Sequence, residues 1–347
     1  MRQKFISVIW GYHRQIFSFD RKQNYHMLPI EAMAEEGYEC EIVAIDPRVK
    51  IQDDPNFVAG TAVTPYRGLF WFARFLLANR DAVVYSNSLT VPTLLAGLFS
   101  RRAVFIAHDQ AVPLPEKRLK RLVARCLYRF FRFVRTMNPQ ETADVRAWGA
   151  RPYELPLSVS DAFLADPAST RAGLVFVGNI YADKGPEFLL ETMRIVASRR
   201  PDAVLKLAGE DRYLKDGKNF RETVKAAGLE KHFEFLGFVP HAQLKEVLAR
   251  SLVFVNTSTS EGMCLAAFEA ALAGCLPCLP KITAFPTAFR DGALYHGTPQ
   301  ELADNALRAL EDGAWRTAAA RANQERILRD YAFERIKKGT AELFLSL

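Results

Sequence analysis

Cysteine is scarce in this chain, with five in 347 residues. Cys40, Cys126, Cys264, Cys275 and Cys278 are too few, and odd in number, to form a disulfide framework, which fits a reducing compartment. Cys275-Leu-Pro-Cys278 has the spacing of half a zinc site. Structural zinc needs two more ligands at comparable spacing and none appears, so the pair is expected as small apolar residues of a buried strand. Long hydrophobic runs are missing too, since none approaches the roughly 18 to 20 residues of a membrane-spanning helix. The early run Phe5-Ile-Ser-Val-Ile-Trp10 is too short for the hydrophobic region of a signal peptide, and no small-residue cleavage site follows it. A cytoplasmic location is the expectation. Glycine is sparse where a dinucleotide fingerprint would need three in register, because the loop after that first run holds Gly11 alone. Acidic residues are absent between Lys117 and Arg135.

What is present points to two α/β domains. The length and apolar content suffice for two cores, and the net charge of +7 says only that anionic partners such as nucleotides, phospholipid headgroups or nucleic acid are welcome. In the first half, strands are expected over 4–10, 39–45, 82–85 and 103–107, alternating with helices over 27–36, 70–79 and 92–99. This is the βαβ alternation of an open parallel sheet, which binds ligands at the carboxyl ends of its strands. The loop at Gly11 and the strand-end pair His108-Asp109 therefore matter.

Residues 117–135 carry eight basic side chains, Lys117, Arg118, Lys120, Arg121, Arg125, Arg129, Arg132 and Arg135. Leu119, Leu122, Val123, Cys126, Leu127 and Phe130, with Phe133 or Val134, recur at helical spacing, while Tyr128 and Phe131 fall off that stripe among the arginines. The pattern predicts a helix that packs its stripe on the sheet and leaves arginines in water. An interfacial helix drawn to anionic lipid, at on the order of 1 kcal/mol per basic residue, is compatible with this. No RNA or DNA motif accompanies the basic stretch, so nucleic acid is not expected as a partner. Residues 153–163 are punctuated by proline and read as a linker.

In the second half, a strand ending at Gly178 leads through Asn179 and Lys184 to a helix over 186–199 that opens with Pro186. Lys184 is a compact cation suited to a diphosphate. Two similar strand-to-loop units end at Gly209 and at Gly237-Phe238-Val239. The segment 251–277 is the centre of the reading: a strand over 252–255, a polar turn over 256–260, Glu261, then a helix over 265–273 closed by Gly274 and Pro277. Glu269 lies eight positions after Glu261. Between them the N–H groups of Gly262, Met263, Cys264 and Leu265 stand at a helix start, where orphan donors and the dipole favour an anion. A ligand with phosphates in its middle, hydroxyls at one end and a ribose at the other fits that layout, and a nucleotide sugar has this shape. Helices are expected over 301–311, 315–330 and 334–344.

Glu261 and Glu269, with the flanking Ser-Glu-Gly and Glu-Ala-Ala-Leu-Ala-Gly-Cys-Leu-Pro, resemble the E-x7-E motif of GT4-type retaining glycosyltransferases. The resemblance implies the GT-B fold, two Rossmann-like domains facing each other across a cleft. It would divide the chain into an acceptor domain over 1–155, a nucleotide-sugar donor domain over 156–325 and a C-terminal helix over 326–347 that returns to the first domain. The resemblance also implies roles. Lys184 and the amides of Gly262, Met263, Cys264 and Leu265 would stabilise the leaving diphosphate, and Glu269 would hold the ribose hydroxyls. Glu261 and His108 would hold the sugar, Gly11 and Gly178 would approach the phosphates, and Gly209, Phe238 and Val239 would line the base. Asn179 occupies a position where the family has arginine, which removes one of two expected cations.

The resemblance implies no metal and no separate cofactor, and the sequence contains no Asp-x-Asp triplet. The implied reaction is hexosyl transfer from a nucleoside-diphosphate sugar to a glycan or lipid-linked acceptor, in cell-envelope or exopolysaccharide assembly, on the inner face of an anionic membrane. Front-face and covalent routes to retention both stay open. Two other readings stand beside it: a sugar-nucleotide epimerase on the same fold, and a non-catalytic membrane-associated relative that binds a ligand.

Overall fold

Short runs of valine, isoleucine and phenylalanine bounded by glycine and polar turns become parallel strands here, and the strands form two separate sheets. The computed structural model describes residues 3–9, 19, 21–45, 50–86, 91–106, 128–282 and 285–347. The chain divides into one unit of Met1–Ser158 with Tyr331–Leu347 and a second of Val159–Asp330.

The first unit contains β1 (Lys4–Ile9), β2 (Glu39–Ala44), β3 (Ala62–Pro65), β4 (Val83–Ser86), β5 (Arg102–Ile106), β6 (Phe133–Thr136) and β7 (Pro152–Glu154), in the spatial order β3-β2-β1-β4-β5-β6-β7. β1, β2 and β4 are buried almost from end to end, as strands covered on both faces must be. Among its helices are α1 (Leu28–Glu35), α2 (Leu69–Ala78), α3 (Val91–Phe99) and α4 (Pro139–Ala147). Phe72 and Leu76 of α2 bury against Ile6, Val8, Val43 and Val84. Asn138 caps α4: its Oδ1 accepts from the Glu141 N–H at 2.9 Å, and the Glu141 carboxylate accepts from the Met137 N–H at 2.8 Å.

The basic stretch corrects the sequence reading. Residues 107–127, with His108 and most of the basic side chains, lie outside the described residues. From Tyr128 onward the expected stripe is buried at Val134 but not at Phe130, and the residues expected off it are buried. Tyr128 and Phe131, which should have stood among solvated arginines, are buried with Val134, Val145 and Trp148, whereas Phe130 is 53% exposed. Residues 133–136 are strand β6 and not helix, and Arg135 is 2% exposed, not in water. Its Nε donates to the Leu155 carbonyl at 2.8 Å and its Nη2 to the Pro156 carbonyl at 2.6 Å. A buried guanidinium is tolerable only with such partners, and these belong to the segment that leaves the first unit.

The second unit holds β8 (Leu174–Val177), β9 (Leu205–Ala208), β10 (Phe233–Gly237), β11 (Val253–Val255), β12 (Leu276–Pro280) and β13 (Leu294–His296), in the order β10-β9-β8-β11-β12-β13. Its helices are α5 (Pro186–Arg199), α6 (Phe220–Ala226), α7 (His241–Ala249), α8 (Leu265–Leu272), α9 (Phe285–Phe289), α10 (Pro299–Glu311) and α11 (Gly313–Asp330). Leu189, Met193 and Val196 of α5 and Leu302, Ala306 and Ala309 of α10 share one core with the strands. Cys275 and Cys278 are fully buried at β12. Burial pushes the Cys275 thiol up to about 12, the behaviour of a packed, unreactive group. The last helix, α12 (Phe333–Leu345), belongs to the first unit: Lys337 reaches Glu31 at 3.3 Å and Glu35 at 2.9 Å, and Phe344 packs 4.9 Å from the Phe5 ring.

The strand order of the second sheet runs outward in both directions from the β8–β11 pair. Neighbouring strands whose connections leave in opposite directions open a crevice at their carboxyl ends, and that is where open α/β sheets take ligands. The loops that follow β8 and β11 are residues 178–185 and 256–264.

Candidate functional site

The loop after β8 is fixed by close backbone contacts. Gly178 N–H donates to the Ala208 carbonyl at 2.9 Å, and the Gly209 N–H donates to the Gly237 carbonyl at 2.8 Å, so the ends of β8, β9 and β10 are tied together. A Cβ at Gly209 would lie 2.0 Å from the Gly178 carbonyl oxygen, which leaves room for glycine alone. Asn179 also serves this junction, because its Oδ1 accepts from the Glu210 N–H at 2.9 Å. Gly185 then turns the chain with φ +63° into α5 and lies so near the Thr257 carbonyl that a Cβ would stand 2.4 Å away.

Through that contact the loop after β8 meets the loop after β11. Thr257 Oγ1 donates to the Lys184 carbonyl at 2.6 Å, and the Thr259 N–H donates to the Asp183 carbonyl at 2.9 Å. The side chains meet as well. Lys184 Nζ donates to Glu261 Oε1 at 2.6 Å, and Ser258 Oγ donates to the same oxygen at 2.7 Å. Burial draws the Lys184 ammonium toward a lower pKa, but the bonded Glu261 carboxylate, with Cys264 and Asp183 adding to it, outweighs burial and holds the pKa above the ordinary lysine value. Lys184 is therefore a fixed cation at the β8–β11 crevice.

Immediately after Glu261 the chain enters α8. Gly262 and Met263 are buried, and Cys264, Leu265 and Ala266 are half-buried. Cys264 is the N-cap in a left-handed conformation, φ +56°, and its own side chain makes no cap hydrogen bond. The Ala267 N–H donates to the Cys264 carbonyl at 2.9 Å; the earlier first-turn N–H groups, of Leu265 and Ala266, stand at the positive end of the helix dipole, so this is a place for an oxyanion close to Lys184. Glu269, one turn on, is 5% exposed and its Oε1 lies 3.0 Å from His241 Nε2. His241 opens α7 and packs 4.8 Å from the Phe163 ring.

Asn256 organises the turn between β11 and Glu261. Its Oδ1 accepts from the Ser258 N–H at 2.9 Å, its Nδ2 lies 3.4 Å from Cys264 Sγ, and its carbonyl lies 2.9 Å from His296 Nε2. Burial lowers the His296 pKa and outweighs the opposing bond to Asn256, which keeps the ring neutral near pH 7.

The structure thus gathers Gly178, Asn179, Lys184, Gly209, Glu261 and the Gly262–Leu265 stretch at the carboxyl ends of β8, β9 and β11, with Glu269 one helical turn away. It does not gather all the expected residues. Phe238 and Val239 line a separate cavity of about 430 Å³ with Lys206, Glu234, Leu236 and residues of α7, without Lys184 or Glu261. Gly11 and His108 lie outside the described residues. Asn256, Ser258, His241 and His296 escaped the sequence reading. Asn256 and Ser258 were visible only as members of a polar turn, and His241 and His296 meet their partners 28 and 40 positions away. Among the described residues no group of three or more His, Cys, Asp and Glu side chains is placed to hold a metal ion.

Comparison with known proteins sharpens this description. Residues 165–326, which contain every described site residue of the β8 and β11 loops, match the family model for glycosyl transferases group 1. A relative from Arabidopsis thaliana, one of the chains of its phosphatidylinositol N-acetylglucosaminyltransferase, is 27% identical over 167 residues, covering 47% of this chain and 36% of its own length. The chain therefore spans little more than a third of that curated relative. Among solved structures, sucrose-phosphate synthase from Thermosynechococcus elongatus matches with a TM-score of 0.73 and 19% identity over 99% of both chains. HepE from Anabaena, solved in complex with UDP and glucose, matches with a TM-score of 0.79 and 17% identity over 100% of both chains. At these identities the structural likeness establishes the fold, GT-B, with its two α/β units.

Proposed function

Because residues 165–326 belong to the glycosyl transferases group 1 family, we propose that this chain transfers a glycosyl group, with retention, from a nucleoside-diphosphate sugar to an acceptor. One observation carries the reading: Lys184 and Glu261, 77 positions apart, meet at 2.6 Å at the β8–β11 crevice, directly before the start of α8.

Cleavage of the bond between the sugar and the diphosphate leaves negative charge on phosphate oxygen. Fixed positive groups aimed at that charge give the largest single stabilisation of such a transition state. Lys184 supplies a full charge and the first N–H groups of α8 supply oriented partial charges. Glu261, already fixed by Ser258, exchanges the ammonium for sugar hydroxyls as the diphosphate takes Lys184. Glu269 accepts from the ribose hydroxyls while His241 keeps its carboxylate oriented. UDP bound to HepE supports a diphosphate of this size in such a fold. The acceptor belongs to the first unit, and a glycan or lipid-linked acceptor is consistent with the basic stretch there.

The test is nucleotide release from a panel of UDP-, GDP- and ADP-sugars by the purified chain, beside Lys184→Ala and Glu269→Ala. Cleavage of one donor by the parent protein and loss in both variants is the expected result. An isomerised donor without nucleotide release would favour an epimerase. Absence of donor binding across the whole panel would overturn the transferase reading.

A further inference from the structure

A second site lies in the first unit, at the opposite end of the strands from the loops where parallel sheets take substrates. β5, β6 and β7 are parallel neighbours, with Val104 opposite Phe133 and Val134 opposite Pro152. The residues just before these strands are Arg101, Arg132 and Arg151. Arginine precedes each of three adjacent strands at its amino end, which brings three guanidinium groups to one edge of the sheet. Arg129, on the turn ahead of β6, joins them and donates from Nε to the Trp148 carbonyl at 3.4 Å. Together the four line a cavity of about 360 Å³ with Phe130, Phe131, Gly149 and Ala150.

Three features separate this cavity from an ordinary solvated basic face. Among the described residues no aspartate or glutamate lines it, and none of the four arginines has an ion-pair partner. The wall beside Arg129 is glycine: Gly149 has φ +75°, and a Cβ there would stand 2.9 Å from Arg129 Nη2, so the guanidinium lies directly against backbone. Phe130, exposed on the rim, sets an aromatic ring beside the charges.

Four like charges in one concavity repel one another, and a multivalent anion is the ligand that reverses the sign of that interaction. Arginine's planar fork matches phosphate oxygens in pairs. We propose that this pocket is a phosphate-binding site, taking either the headgroup of an anionic phospholipid or a soluble diphosphate. The pocket needs no glycosyl donor, and its existence is independent of the function proposed above.

The experiment uses the full chain and two probes. One is a vesicle of phosphatidylcholine with roughly 30 mol% phosphatidylglycerol, followed by co-sedimentation at low salt. The other is inorganic pyrophosphate, followed by calorimetry. Arg101→Gln combined with Arg151→Gln removes two exposed side chains that make no hydrogen bond to the described residues. Arg67→Gln combined with Arg80→Gln is the charge-matched control on the same unit. The pocket pair should weaken binding of at least one probe by about tenfold or more, and the control pair by less than about twofold. Loss confined to vesicles, accompanied by weaker vesicle binding in Phe130→Ser, assigns the lipid headgroup. Loss confined to pyrophosphate assigns the soluble ligand. Equal losses in the pocket and control pairs, or no binding of either probe by the parent chain, would overturn the proposal.

Discussion

The Lys184–Glu261 pair makes a prediction that runs against the usual expectation for a site residue: removing Glu261's charge should tighten binding of the nucleotide product. Lys184 Nζ and Glu261 Oε1 are 2.6 Å apart, and their side chains are 24% and 10% exposed. At an effective dielectric of about 20 the Coulomb attraction at this separation is roughly 6 kcal/mol. Withdrawal of both charges from water cancels most of it, leaving a net coupling of about 1–2 kcal/mol. A nucleoside diphosphate that engages Lys184 must break this pair. Glu261→Gln keeps the side-chain volume and an oxygen for Ser258 Oγ but deletes the competing charge. Affinity for the matching nucleoside diphosphate, measured by calorimetry without sugar, should therefore rise about 5–30-fold, the factor that corresponds to this coupling. Turnover of the nucleotide sugar should fall, because the carboxylate is lost to the sugar hydroxyls. In a Lys184→Ala background the gain from Glu261→Gln should vanish, and that non-additivity identifies the pair as its origin. If Glu261→Gln leaves diphosphate affinity unchanged or weakens it while Lys184 is intact, the competition argument is wrong.

Three further outcomes can be measured on the same protein. His241→Ala removes a ring bonded to buried Glu269 and packed on Phe163; it should cost about 2–4 kcal/mol in urea unfolding and weaken donor binding through the ribose. Gly209→Ala drives a Cβ to 2.0 Å from the Gly178 carbonyl. It should destabilise by about 3 kcal/mol or more, whereas Gly217→Ala, with φ +74° and nothing within 4 Å, should cost only the conformational strain of about 1–2 kcal/mol; equal costs in thermal melts would contradict the close approach. His296 has a folded-state pKa below its ordinary 6.5, so the unfolded chain binds the extra proton first. Stability is therefore complete above about pH 6.5 and declines as the pH falls below it. His296→Gln should flatten thermal stability between about pH 6.5 and 5 relative to the parent, and an unchanged slope would assign the acid sensitivity to other groups.

The fold was legible wherever a strand is a continuous apolar run closed by a glycine. Lys184 could be placed on a strand-end loop for that reason and Glu261 by the polar turn 256–260 that closes β11, and α5 begins and ends at the residues its proline and basic end mark, Pro186 and Arg199. Legibility failed where burial does not follow apolarity. β3 is a four-residue edge strand, Ala-Val-Thr-Pro, with no buried residue to mark it. In residues 128–135 the helical rhythm of phenylalanine and leucine masked a turn and a strand, because nothing local signals that Arg135 will find carbonyl partners 20 and 21 positions ahead. The site was legible in its loops and opaque in its supports. Glu269 stands out by its spacing from Glu261, but nothing local marks His241 as its partner, and Asn256 is one of several polar turn residues until His296 reaches its carbonyl.

The left-handed Cys264 has a consequence for how damage spreads through this unit. At φ +56° a residue with a side chain sits about 1–2 kcal/mol above a relaxed conformation, so something outside the helix must hold it there. Asn256 contacts its sulfur, and Asn256 is itself anchored by the Cys278 carbonyl on β12 and the His296 ring on β13. The direction in which the first amides of α8 point is thus set in part from β12 and β13, outside the loops that carry Lys184 and Glu261. A substitution at His296, remote in sequence and hidden from solvent, should disturb phosphate recognition while Lys184 and Glu261 remain chemically intact, and a scan confined to residues lining the crevice would overlook it.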